Sequence, residues 1–295
     1  MTNEPSAYYT SSDGKLMSAE ELNTTDELVK ISGAKKNNTV MNSSIMFAFG
    51  VFGNILALIV LKRSDSGHKR KLFYRLVAGL TLTDLFGTTA TSPVVISVYL
   101  NDFKWVGGDP LCKYFAFMMV FACFGTMITV CLMAIERLLC IRHPYLYHAR
   151  LRKKHATIFL CFAWLMAAAI ASLPIIGFGK IVLQYPYTWC FIDYYTDNLV
   201  DRGFNCLFAC VAIIIISITV GCNIAVLSTL MKTKMRGFSR RKRGDSRQFA
   251  GYSKRYAECQ MAVLLIGITV VFSSCYLPLM VSIASAAASS SNVFI

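Results

Sequence analysis

From Tyr114 to Ile135 the chain runs through twenty-two residues without a charge, bounded by Lys113 on one side and Glu136-Arg137 on the other. Twenty-five helical steps of about 1.5 Å carry Cys112 to Arg137 across roughly 37 Å, more than the apolar thickness of a bilayer, about 30 Å. A stretch of this kind is a transmembrane helix. Its two ends differ chemically. The cysteine end suits an oxidising compartment and the acid–base end suits the cytosol.

Five further apolar runs of spanning length accompany it, so the expected spans are 44–61, 73–100, 111–141, 155–177, 204–231 and 257–286. A mean hydropathy of +0.52 with 16% charged residues excludes an ordinary soluble domain. The net charge of +14 could suggest nucleic acid, but its distribution reads as membrane topology. Six Lys and Arg fall in Lys62–Arg75, six in Arg137–His155 and ten in Lys232–Glu258. The alternate loops carry only Lys104 in one, and Lys180 and Arg202 in the other. The positive-inside rule then puts the N-terminus outside a multi-pass cell-membrane protein, with no nucleic-acid partner. The expected fold class is an all-α membrane helix bundle.

Residues 1–43 are polar, of mixed charge and without a signal-peptide core, and read as a disordered extracellular tail. Sequons at Asn23, Asn37 and Asn42 suit that location. Residues 44–286 form the bundle and 287–295 a short outer tail. Within the spans, Asn54 and Asp84 are costly enough to mark a polar cavity or ion site, with Thr126 placed to face both. Asp84 is the candidate position for a sodium ion; no other cofactor or metal is expected. Most of the eleven cysteines lie within spans and read as small apolar residues. Cys112 and Cys190 are both outside, so a disulfide between them is the economical pairing, with Cys206 the one competitor. Pro93, Pro174 and Pro278 fall in spans toward the outer side, where kinks would open a pocket.

These residues together resemble a rhodopsin-like G protein-coupled receptor. The pattern runs through Gly53-Asn54, Leu82-Thr83-Asp84-Leu85, Cys112, Glu136-Arg137, Trp164 and Pro278. Within that class, Trp105 to Cys112 and Gln184 to Phe191 are similar to the outer loops of prostanoid receptors. Leu183 to Asp193 most resembles the prostaglandin E receptors, the fourth subtype above all. The resemblance implies a prostaglandin agonist and a heterotrimeric G protein as partners, and no enzymatic activity. Tyr99 and Thr188 match positions that hydrogen-bond the ligand carboxylate, Trp189 and Met119 would line the pocket, and Ser92 would lie deeper. Val95 and Cys123 replace hydroxyl-bearing residues of that subtype. The second inner loop, with Tyr145, is similar to receptors that raise cyclic AMP through a stimulatory G protein. Glu136, Arg137 and Glu258 are the expected coupling switch, with an Arg137–Glu258 ion pair holding the inactive state.

The family's seventh helix carries an arginine for the carboxylate and an Asp-Pro-Trp motif, and neither is present here. The chain therefore resembles six of the seven helices, as a receptor cut off after helix six would. The basic residues near the outer face are Lys104, Lys113, Lys180 and Arg202, none at a position the family uses for the ligand, so weak binding of prostaglandin E or none is expected of these 295 residues alone. Two other readings are a truncated, non-signalling partner of full-length receptors and a small transporter or channel. The second lacks a polar pathway beyond Asp84.

Overall fold

The computed structural model describes residues 8–10, 16–63, 71–150, 153–241 and 249–289; side-chain surroundings are described for 36–63, 72–147, 149, 154–232 and 263–286. In chain order the elements are β1 (Tyr8–Thr10), β2 (Leu16–Ser18), α1 (Ala19–Arg63), α2 (Lys71–Leu100), α3 (Gly108–Arg142), α4 (Pro144–Arg150) and α5 (Lys153–Ser172). They continue with β3 (Ile181–Gln184), β4 (Trp189–Ile192), α6 (Leu199–Arg241) and α7 (Phe249–Ser289). Each strand pair, β1–β2 and β3–β4, is an antiparallel hairpin.

The helix α3 that carries the charge-free run is the centre of the bundle. It packs on α2, α5 and α6, takes the β3–β4 hairpin at one end, and touches α7. Helix α7 lies mainly on α6, and α1 mainly on α2. Close approach of α2 and α3 depends on a missing side chain. A Cβ at Gly87 would lie 2.6 Å from the Cβ of Ala122, which has no freedom to move aside. Two buried apolar clusters fill the bundle. One gathers Phe124, Met127, Phe208 and Met280 toward the hairpin; the other gathers Phe73, Leu76, Met133 and Leu265 toward the opposite end. Large apolar side chains such as Phe49, Phe52 and Leu165 face outward, as lipid-facing positions do.

Five helices among the described residues are long and apolar enough to cross a membrane. Helix α2 is also of spanning length, but Thr81, Thr83, Asp84, Thr88, Thr89, Thr91 and Ser92 dilute its hydropathy. Three sequence expectations differ from the structure. Helix α1 begins at Ala19, so most of the segment expected to be disordered tail is helical. No proline interrupts Ser6–Ser92, and Ala19-Glu20-Glu21-Leu22 are good helix formers. Helix α5 ends at Ser172, so Pro174 lies in the turn beyond it and kinks nothing; proline commonly follows a helix end because it cannot continue one. Helix α7 runs on through Ser289, past the point where the alanine–serine stretch was expected to end it.

Candidate functional site

Polar and chemically distinctive side chains collect in three places along α3. At its first turn Cys112 is bonded to Cys190 of β4, with Cα atoms 5.3 Å apart, as the sequence anticipated. The competitor Cys206 instead lies on an exposed face of α6, its sulfur 4.0 Å from that of Cys210. The disulfide fixes the hairpin, whose register pairs Leu183 with Cys190 and Gln184 with Trp189. Phe191 and Ile192 plug into the upper apolar cluster, while Trp189 packs between that cluster and Cys112, Phe115 and Ala116. Thr188 is 2% exposed at the end of the hairpin turn. Met119 and Val95 pack against the same disulfide cluster. Ser92, Val95 and Tyr99 are spaced i, i+3, i+7 and so share one side of α2. Thr188, Trp189 and Met119 are thus gathered around one disulfide, and Ser92 and Tyr99 lie along the face of α2 turned to it.

The Tyr99 ring packs at a tilt against Phe103, ring centroids 5.3 Å apart, in the turn that ends α2. Between them Asp102 receives Lys36 of α1 at 2.5 Å. No sequence pattern pairs that cation with the first outer loop; the extension of α1 brings residue 36 there. Asp102 is held below the usual carboxylate range, first by the Lys36 hydrogen bond, then by the Lys36 charge, and by Lys104.

Midway along the bundle Thr126 donates to Asp84 at 2.8 Å. Asn54 donates its amide to the Gly50 carbonyl at 2.9 Å, one turn earlier on its own helix. A hard cation takes several oxygen ligands. Around Asp84 the described contacts supply one carboxylate and one hydroxyl turned to it. Two cross-helix links were not anticipated. Trp164 donates to Thr83 at 2.9 Å and Asn223 to Thr269 at 2.7 Å, tying α2 to α5 and α6 to α7.

At the far end of α3, Glu136 and Arg137 are 3% and 2% exposed. Arg137 grips Glu136 through Nε at 2.5 Å and a terminal nitrogen at 2.6 Å. Its guanidinium lies 4.3 Å above the Phe73 ring. Tyr147 of α4 donates its hydroxyl to the same carboxylate at 2.6 Å, and its own pKa is pushed up by burial and by the Glu136 charge. The expected coupling residue Tyr145 is 84% exposed. Two residues of an α-helix differ by about 200°, so a helix beginning at Pro144 turns only one of these tyrosines inward. The side chain of Glu258 lies outside the described residues. Asn37 and Asn42 are exposed on α1, and the side chain of Asn23 is likewise outside the description.

Residues 53–294 match the family described as 7 transmembrane receptor (rhodopsin family). The rat prostaglandin E2 receptor EP2 subtype is 35% identical over 258 residues, covering 80% of this chain and 70% of that one. The chain belongs to the prostanoid receptors of the rhodopsin family. The human prostaglandin E2 receptor EP4 subtype is 32% identical over 287 residues, 86% of this chain. The chain spans 58% of that relative's length. A rat prostaglandin D2 receptor-like protein is 32% identical and covers 83% of this chain. Squid rhodopsin superposes with a TM-score of 0.75 at 20% identity over 86% of this chain, which shows the rhodopsin-like bundle. Prostanoid receptors are multi-pass membrane proteins and not enzymes. The transporter, channel and non-signalling readings draw no support from these relatives.

Proposed function

We propose that this prostanoid receptor takes prostaglandin E as agonist and couples to a stimulatory G protein, raising cyclic AMP. The observation that carries the reading is the disulfide-pinned hairpin, which sets Thr188, Trp189 and Met119 against the Ser92–Val95–Tyr99 face of α2. Apolar groups there suit the arms of an oxygenated fatty acid, and the hydroxyls of Tyr99 and Thr188 suit its headgroup. The relatives named as prostaglandin E2 receptors support the ligand class, and the prostaglandin D2 receptor-like relative keeps prostaglandin D as the second candidate.

At the other end Glu136, Arg137 and Tyr147 form the closed latch of a switch, which a G protein would meet on the cytosolic side. The basic loops support that side as cytosolic and the N-terminus as extracellular. Cells producing the full chain, challenged with prostaglandin E2, should raise cyclic AMP dose-dependently and more steeply than with prostaglandin D2. A flat response to E2 alongside a fall in cyclic AMP or a calcium transient would reject stimulatory coupling; a steeper response to D2 would reassign the ligand.

A further inference from the structure

Cationic and apolar side chains also meet on the outside of the bundle, along the seam between α2 and α5. Three contacts climb this seam, one turn apart on each helix. Arg75 donates to the Thr157 hydroxyl at 3.1 Å, Gly79 leaves room for the Leu160 side chain, and Trp164 donates to Thr83 at 2.9 Å. A Cβ at Gly79 would stand 2.4 Å from Leu160, so the close approach of the two helices depends on that glycine.

The foot of the seam is positively charged. Arg75 and Lys154 are both exposed, and Lys154 precedes Thr157 by three residues, one helical turn. Thr157 accepts from one guanidinium nitrogen and so holds the Arg75 fork in place. The foot lies level with Arg137, whose guanidinium covers the ring of Phe73, two residues before Arg75. The one described carboxylate at this end, Glu136, is 3% exposed and already held by Arg137 and Tyr147. The exposed foot therefore favours an anion, and a guanidinium fork beside an ammonium group suits a phosphate.

Above the foot both flanks are apolar and open. Leu82 and Phe86 follow Arg75 by seven and eleven residues and share its side of α2. Ile158, Phe162 and Leu165 follow Lys154 by four, eight and eleven residues and share its side of α5. All five are at least 44% exposed. Eleven helical steps cover about 16 Å, roughly half the 30 Å apolar thickness of a bilayer and so the depth of one leaflet. A charged foot with an apolar flank one leaflet deep has the dimensions of a single phospholipid.

We propose that the α2–α5 seam binds an anionic glycerophospholipid, with its headgroup phosphate on Arg75 and Lys154 and an acyl chain along Ile158, Phe162 and Leu165. Basic pockets between membrane helices hold acidic headgroups in this way. The lipid bridges α2 and α5 and stabilises their contact. With this end cytosolic, as proposed above, the seam opens onto the leaflet that carries acidic lipids.

Native mass spectrometry of the detergent-solubilised full chain tests this, with dioleoyl phosphatidylserine and dioleoyl phosphatidylcholine as probes and thermal unfolding as a second readout. Phosphatidylserine should bind about tenfold more tightly than phosphatidylcholine and raise the melting temperature. Arg75→Gln and Lys154→Gln should each weaken phosphatidylserine about five- to tenfold, with the lipid-free melting temperature close to the parent's. Lys62→Gln removes the same charge from the end of α1 and should leave phosphatidylserine binding unchanged. Glycerophosphoserine, the headgroup without its chains, should not displace the lipid at equal concentration. Equal binding of the two lipids would overturn the proposal, as would a loss in Lys62→Gln matching that in Arg75→Gln, which would mean diffuse charge rather than a site. Displacement by glycerophosphoserine would remove the acyl chain from the site, and displacement by cholesterol with both cation variants behaving as the parent would make the seam a sterol surface; either result overturns it. Micelles give the receptor no inside or outside, so these outcomes are independent of the orientation in a cell.

Discussion

The inner switch shows how far single residues could be read. Glu136 and Arg137 stand out because an acid and a base at the edge of a charge-free run demand an explanation. Their tyrosine partner did not stand out, since choosing Tyr147 over Tyr145 needs the start of α4 and hence its rotational phase. Asn54 also has a partner that no pattern announces. Its side chain is polar at membrane depth, but the carbonyl of Gly50 one turn away satisfies it locally. Hydrogen bonds to charged groups contribute about 1.5–3 kcal/mol when buried. Tyr147→Phe should therefore lower the melting temperature of the detergent-solubilised receptor by several degrees and raise basal signalling, while Tyr145→Phe leaves the melting temperature unchanged. Equal behaviour of the two variants in a thermal-shift assay would contradict the latch.

Among the elements, the long helices were legible because an apolar run of spanning length has few other outcomes. Their ends were less so. Polarity suggested a tail up to residue 43, whereas helix propensity and the absence of proline extend α1 back to Ala19. That extension carries Lys36 to Asp102, the one described ion pair between α1 and an outer loop. Its pH dependence follows from the direction of the Asp102 shift. A depressed folded pKa means stabilisation that is complete above the ordinary aspartate value of about 3.9 and lost as pH falls through the lower folded value. Spin labels on Asn38→Cys and Val106→Cys should report one narrow distance from pH 8 to 5 and a broader one below about pH 4. Asp102→Asn should be broad throughout. A distribution in the variant as narrow as the parent's would show that the pair does not dock α1.

For the whole molecule, basic-loop asymmetry supplies an expected topology and motif order supplies the fold class, and the bundle geometry agrees with the rhodopsin-like class. What no pattern could supply was proximity across the chain: Tyr147 to Glu136, Trp164 to Thr83, Lys36 to Asp102. Orientation has its own check. With the N-terminus outside, deglycosylation should shift the mobility of the parent chain, and replacing Asn23, Asn37 and Asn42 by Gln should abolish the shift; an unshifted parent would place those sequons on the wrong side. The central claim is that the disulfide-pinned end binds an acidic prostanoid. Saturation binding of tritiated prostaglandin E2 to membranes containing the full chain tests it most directly. Against the weak binding expected from the sequence, the hairpin-centred site predicts saturable binding, displaced by the unlabelled acid and weakened several-fold by Tyr99→Phe. Binding that is non-saturable, or saturable but indifferent to that substitution, would contradict it.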